Sequence, residues 1–454
     1  MLSSCTVTIM KANRLKGLLL LLLVLGTFYG YGQKQPLRIP PSNALLQYVH
    51  KPDTSFHWQN NQPSLASNGV FYEVNFQSQT WQSIPWNHKL IVYFPTQAKH
   101  PATMLLVLQH LYDQEAGLAS LKVISDSTGT PAAMLYDIPN QPLFEGKEED
   151  DLQAYTFSQY LKTGDESWPL LFPMVKSVVR AMDVVQLLAK QQKQLAVTDF
   201  IIAGHSKRGH TTWLTAAADK RVKGIIPIAI DILNSKAQLP HHLEAFGAYS
   251  TPSQTTTDLL KELQQPRGQR LIQMVDAYSY REQLLIPKLI VSATNDNFFT
   301  TDALNLYWPG LKGPKAVLYL SNANHVQADA DSRINATAFA FIRAVAAHRS
   351  LPPLIWQYRP DNDRIRLEIR TDKRATKAQL WISRAKTKDF RQAVWSSQPI
   401  TQISRAKGDQ GSIYTVEVPR PDSGYTAIFG EVEFIEDGHS FLLSTQTHIS
   451  SSGR

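Results

Sequence analysis

The chain has 454 residues, 43% of them hydrophobic, and a formal net charge of +8, so it can bury a large core and its length suggests two or three domains. The basic excess is scattered, with no Lys/Arg block and no interleaved aromatics, which excludes a nucleic-acid partner from the expectations and reads as a solvated surface. The one cysteine, Cys5, precedes a leucine-rich run, so no disulfides or thiol chemistry are expected in the mature protein.

Residues 11–32 open on Lys11, Arg14 and Lys16, continue through the apolar run from Leu18 to Leu25, and reach Gly30 and Gly32. This is the layout of a secretory signal peptide over 1–32, cleaved near Gly32. An uncleaved anchor is the competing reading, but the uninterrupted apolar run is short of the roughly 20 residues a spanning helix needs. Export to the periplasm or medium is expected, with no stable membrane insertion after cleavage.

Ala44 to His50 suits a short helix that the Lys51-Pro52-Asp53 turn stops. Val70 to Phe76 and Lys89 to Phe94 read as strands, and the more uniformly apolar Thr103 to Leu108 as a central parallel strand. Residues 131–172 show turns and aromatics rather than a period, which predicts long site-shaping loops. Pro173 opens a helix to about Gln192, with Val175, Val178, Val179, Met182, Val185 and Leu188 at helical spacing.

The stretch Phe200 to His210 predicts strand, sharp turn and helix. Phe200 to Ala203 are a buried-strand run, Thr211 to Ala218 suits a helix, and Ser206 sits on the bend between Gly204 and Gly209. Such a turn holds a serine hydroxyl above a sheet as a nucleophile elbow. The spacing is Gly-x-Ser-x-x-Gly, because Arg208 stands where the elbow's second glycine is usual. A plain glycine-rich strand-to-helix turn has the same look.

Another buried strand runs from Gly224 to Ile230 and ends at Asp231. The polar segment 235–280 then interrupts the rhythm as a cap-like insertion would. Strand Lys288 to Ala293, a helix from about Thr301, strand Ala316 to Leu320 and a helix from about Ser332 to His348 complete a predicted α/β domain over 33–350, with right-handed crossovers and a mostly parallel sheet. After Leu351-Pro352-Pro353 the pattern changes to short alternating strands. The residues 354–449 are therefore expected to form a separate small β-sandwich resembling an immunoglobulin or fibronectin module.

A serine nucleophile needs a base and an acid to orient that base, in the chain order serine, acid, histidine for an α/β-hydrolase fold. Asp296 follows the strand ending at Ala293, and His325 follows the strand ending at Leu320, so three residue types sit at successive strand ends in that order. Asp231 is the alternative acid, and Asp296 and Asp302 are each also placed to cap a turn or helix. His205, His210, His241 and His242 read as packing or surface groups. They offer no metal set, and no cofactor is expected. The oxyanion hole would combine the backbone N–H of Lys207 with one from Gln109-His110-Leu111-Tyr112, taken as His110, although that loop has no glycine.

Ser206-Lys207-Arg208-Gly209, Thr211-Thr212-Trp213-Leu214 and Ile230-Asp231-Ile232-Leu233-Asn234 closely resemble the PhoPQ-activated pathogenicity-related family. So do Ala133-Met134-Leu135-Tyr136, Pro139-Asn140-Gln141-Pro142, Tyr278-Ser279-Tyr280-Arg281 and Asp296-Asn297-Phe298-Phe299. The likeness extends from about Tyr48 to Arg391 and implies an exported α/β-hydrolase fold with a β-rich C-terminal module. The chain departs from the family pattern at Gln109-His110, where two glycines are expected, and at His205 and His210, where alanine and tryptophan are expected. The elbow alone is also similar to that of glucuronoyl esterases, in which a basic residue follows the serine.

Two functions follow from these residues. One is an exported serine hydrolase acting on an ester or amide through Ser206, His325 and Asp296. The other is a non-catalytic binding or resistance protein on a hydrolase scaffold, suggested by the missing glycines at 109 and 110. The distance from His325 to Ser206 separates them.

Overall fold

The computed structural model describes residues 43–249, 262–326, 331–405 and 411–452. The expected leader over 1–32 lies outside these residues, as does part of the expected cap, 250–261. Among the described residues no helix is long and apolar enough to cross a membrane.

The chain begins with helix α1 (Ala44–His50), held at its end by the Lys51 turn. A ten-stranded mixed sheet follows, made of β1 (His57–Asn60), β2 (Ser64–Ala66), β3 (Gly69–Trp81), β4 (Ile84–Pro95), β5 (Thr103–Leu108), β6 (Ala132–Leu135), β7 (Asp199–His205), β8 (Val222–Ile228), β9 (Lys288–Ala293) and β10 (Lys315–Leu320). Its order is β1-β3-β4-β6-β5-β7-β8-β9-β10, with β2 on β3. The strands from β6 to β10 are parallel, and β4 joins them antiparallel through β6.

Helices α1, α4 (Leu171–Lys193) and α5 (Lys207–Ala218) pack together on one face of the sheet. The helices α2 (Gln114–Thr128) and α8 (Asp331–Ala346) pack together on the other. Alternation along each strand feeds both layers: Ile202 is buried on the first face, while Ile201 and Ala203 are buried on the second.

The stretch read as loops at 131–172 contains β6 and helix α3 (Glu149–Thr163). Flanking signals at Pro139, Pro142, Gly146 and Gly164 hide an amphipathic run whose buried residues include Leu152, Phe157, Tyr160 and Leu161. Its first turn carries Glu149, Asp150 and Asp151, which suit the positive end of a helix. Helix α2 also escapes the strand-by-strand reading, although Asp113 caps it through Ala116 N–H at 3.0 Å and Gly129 ends it at φ 71°. Conversely, the helix expected from Thr301 is two short 3₁₀ turns, Ala303–Leu306 and Trp308–Gly310, because Pro309 cannot extend it. In the cap-like segment, α6 (Ser235–Phe246) and α7 (Pro266–Val275) flank the undescribed stretch.

The change to antiparallel strands comes at Leu354, where β11 begins. One sheet has the order β11 (Leu354–Pro360), β12 (Arg364–Thr371), β16 (Ser412–Pro419), β15 (Gln402–Arg405), and a second β14 (Ser396–Pro399), β13 (Ala375–Ala385), β17 (Tyr425–Glu436), β18 (His439–Ser444), with β19 (His448–Ser451) on β17. Their inner faces meet: a Cβ on Gly430 of β17 would stand 2.4 Å from Ile369 of β12.

These sheets are not set apart from the α/β layers. Both parts belong to one compact unit, and Ala427, Phe429, Phe390 and Trp395 are buried in the same cluster as the residues of α4 and α5. Tyr319 N–H of β10 donates to Ser444 Oγ at 3.0 Å, and Arg333 of α8 pairs with Glu431 of β17. The proline pair marks a change of secondary structure, while the apolar contacts run straight across it.

Candidate active site

Ser206 ends β7 and begins α5 with φ 53° and ψ −122°, a conformation that non-glycine residues rarely adopt. Glycines on either side make room for so sharp a turn. A Cβ on Gly204 would lie 2.6 Å from the Arg208 carbonyl, and one on Gly209 would lie 2.8 Å from both the Gly204 oxygen and Ile230. The close approach thus falls three residues after the serine, which is why the second glycine stands at 209. Arg208 is free to carry a side chain there.

The loops after β9 and β10 bring Asp296 and His325 to this serine. His325 Nε2 lies 3.0 Å from Ser206 Oγ, and His325 Nδ1 lies 2.9 Å from Asp296 Oδ2. The carboxylate can only accept, so Nδ1–H donates to it and Nε2 is left to accept the serine proton. Asp296 is itself fixed by N–H groups of Phe298 at 2.7 Å and Phe299 at 3.3 Å, and it is 4% exposed. The Phe298 ring meets the imidazole edge-on at 4.7 Å.

Asp231, the alternative acid, is not on the histidine. Its oxygens accept from Ser292 Oγ at 2.5 Å and from the Tyr307 hydroxyl. Burial pushes this carboxyl up to about 6, against the two hydroxyl donors and with the Asp296 charge adding to the rise. Asp302, weighed as a cap, instead pairs with His241 Nε2 at 2.8 Å.

Two histidines beside the elbow have distinct tasks. His205 Nε2–H donates to the main-chain oxygen of His325 at 2.7 Å, so it holds the base loop rather than simply filling space. His210, buried in the wall of the cleft that Ser206 opens into, donates to Val275 O at 2.7 Å; burial lowers it to about 4, which keeps it neutral.

The basic residues after the serine make an ion-pair network that the sequence reading missed. Arg208 is bound by Glu149 of α3 through both terminal guanidinium nitrogens and donates Nε–H to Ile138 O at 2.6 Å. Lys207 Nζ lies 2.5 Å from Asp150 Oδ1 and 3.5 Å from Glu149 Oε2. Burial alone would raise Glu149, but the Arg208 hydrogen bonds and the two cations overcome it and hold the carboxyl at about 2. Four consecutive acids, Glu148 to Asp151, opening an amphipathic run were the available signal.

Ser206 and His325 open into a cleft of about 390 Å³ with an apolar wall formed by Ile230, Ile232, Leu239, Phe298 and Phe299. Lys207 lines it, and its backbone N–H is one of the first four of α5, which have no partner within a helix. His110 does not line this cleft. Its ring faces Gln141 Nε2 at 3.1 Å and Glu149 at 3.5 Å, so its side chain belongs with the ion-pair network.

Residues 45–391 match the family described as PhoPQ-activated pathogenicity-related protein. The chain belongs to this family. It is also similar to autocrine proliferation repressor protein A of Dictyostelium discoideum, with 27% identity over 433 residues spanning 87% of this chain and 86% of that protein. Solved structures with some likeness include an acetyl xylan esterase from Paenibacillus sp. R4, at 15% identity and a TM-score of 0.47 over 64% of this chain and 91% of that one. A second is acetyl xylan esterase 1 from Thermoanaerobacterium sp. JW/SL YS485, at 14% identity and a TM-score of 0.47 over 68% and 95%. A glucuronoyl esterase from Solibacter usitatus aligns at 13% identity and a TM-score of 0.42 over 66% and 91%.

Proposed function

We propose that this protein is a serine hydrolase of the α/β-hydrolase fold that cleaves an ester or amide bond by acyl transfer through Ser206. The observation that carries the reading is the unbroken chain Ser206 Oγ, His325, Asp296 at 3.0 and 2.9 Å, on a serine held in a strained elbow. Ser206 Oγ attacks the substrate carbonyl as His325 Nε2 takes its proton, and Asp296 stabilises the imidazolium. Lys207 N–H stabilises the oxyanion. His325 then returns the proton to the leaving alcohol or amine, and water attacks the acyl-enzyme by the same route in reverse.

An activated serine reacts with a fluorophosphonate where ordinary serines do not. Labelling of the wild type is expected, its loss in Ser206→Ala, and near loss in His325→Ala, measured by intact mass. Folded wild type that neither labels nor turns over any of a panel of esters and aminoacyl amides would instead favour a binding protein on a hydrolase scaffold.

We also propose that the chain is exported and cleaved near Gly32, on the basic start and short leucine run of residues 11–32. The mass of protein recovered from the cell envelope checks it: a mature chain beginning before residue 20 defeats the idea. The two C-terminal sheets fit a β-sandwich of immunoglobulin or fibronectin kind in their antiparallel pairing and shared apolar faces.

A further inference from the structure

The segment between β13 (Ala375–Ala385) and β14 (Ser396–Pro399) belongs to the C-terminal sheets in sequence, yet its main chain is hydrogen-bonded to both loops that carry the acid and the base. Asn295, adjacent to Asp296, donates through Nδ2 to the carbonyls of Phe390 at 3.1 Å, Arg391 at 3.2 Å and Ala393 at 2.7 Å. Its Oδ1 accepts from Thr294 Oγ1 at 2.7 Å. Asn322, three residues before His325, makes a two-way pair with Trp395: Nδ2 donates to Trp395 O at 2.9 Å, and Oδ1 accepts from Trp395 N–H at 2.8 Å.

The two asparagines are also joined to each other's loop. Thr294 Oγ1 accepts from Asn322 N–H at 2.9 Å, and Asn295 N–H donates to Ala323 O at 3.0 Å. The anchor they grip is rigid, since the rings of Phe390 and Trp395 are buried in the core shared with the α/β layers. The same segment reaches α6, where Arg391 lies over the Phe246 ring at 4.0 Å and Lys388 lies 2.5 Å from Glu244.

A side-chain amide gripping three carbonyls orders its loop more than a surface turn needs, and the loop it orders places a carboxylate to within hydrogen-bond tolerance of an imidazole. We propose that the segment Phe390 to Trp395 is a brace built from the C-terminal sheets, and that Asn295 and Asn322 are positioning residues that act through Asp296 and His325. The proposal rests on the serine-hydrolase reading, and it gives the C-terminal strands a task in catalysis although, among the described residues, none of their side chains lines the cleft at Ser206.

The test uses the full chain and the rate of fluorophosphonate labelling at Ser206. Asn295→Ala, and Asn322→Gly, which keeps the left-handed backbone at φ 58°, should each slow labelling by about ten- to a hundredfold, the size of effect a displacement near 1 Å produces. The decisive readout is a double-mutant cycle. In an Asp296→Asn background the acid no longer orients the base, so Asn295→Ala should slow labelling by less than about twofold further. If either variant fails to fold, Asn295→Ser and Asn322→Asp replace it, and the same criteria apply. Labelling at the wild-type rate in both single variants, or an equal slowing in both backgrounds, overturns the brace while leaving the hydrolase standing. Wild-type protein that is not labelled at Ser206 overturns the hydrolase reading, and the brace falls with it.

Discussion

Asp231 and Asp296 leave the ends of neighbouring parallel strands and are both buried, yet their surroundings fit them to different work. Asp296 takes two backbone N–H groups and the imidazole N–H. Asp231 has hydroxyl donors from Ser292 and Tyr307, both neutral, and burial raises it to about 6. The sequence favoured Asp296 as the acid, with Asp231 the alternative; it did not show what Asp231 does instead, because that depends on Tyr307, 76 residues further along. Asp296→Asn should therefore lower turnover by roughly 10⁴-fold if the aspartate sets the tautomer as in other triads. Asp231→Asn should leave turnover within about threefold while lowering stability by ~1–3 kcal/mol, because one buried hydroxyl loses its acceptor. Initial rates and urea midpoints on the two purified variants separate these outcomes, and a large rate loss in Asp231→Asn with intact folding would reverse the assignment.

At the level of elements, the parts that could be read in advance were those whose signal is local. The elbow is a short contiguous pattern of apolar strand, small residue, serine and small residue, and β9 and β10 are largely apolar runs each followed within a few residues by a chemistry-bearing side chain. Helix α3 could not be read the same way. Its polar face earns its place only by meeting Lys207 and Arg208 from another element, and its boundaries are surrounded by proline and glycine. That meeting also explains the basic pair after the serine. With the tight approach displaced to Gly209, Arg208 extends a buried guanidinium that ties the elbow to α3, and α3 in turn contributes Glu149, Asp150 and Gln153 to the cleft wall. In the Gln109-His110 loop, the His110 ring joins the same network through Gln141 and Glu149.

Across the whole molecule, the feature hidden from the sequence was continuity of the core. A proline pair and a change of period announce a boundary, but they do not reveal that Phe390, Trp395 and Phe429 pack into the cluster beneath the sheet or that Asn295 and Asn322 bind the backbone beyond it. The same deep burial governs how the fold responds to acid. His88 sits between Ser78 Oγ at 3.0 Å and Asp137 O at 2.9 Å, and burial lowers it to about 4, as it does His210. Their unfolded values are near 6.5, so between pH 6.5 and 4 the unfolded chain binds protons that the folded one refuses, and stability is lost as pH falls through that window. Asp231 works in the opposite sense: its folded value of about 6 lies above the unfolded 3.8, so it adds stability over nearly the same range. His242, lowered to about 4 by burial with Arg391 and His241 adding to it, sides with the two buried histidines. His100, His205 and His448, also lowered, side with these histidines, while Asp137, Asp276, Glu431 and His241, all raised, side with Asp231, six groups against five; each net proton is worth about 1.4 kcal/mol per pH unit. Urea midpoints should accordingly fall steadily from pH 7 to pH 4.5, and the fall should be shallower in His88→Gln. A midpoint that stays level or rises over that range would show that these histidines are protonated in the folded protein and that their burial does not set its acid limit.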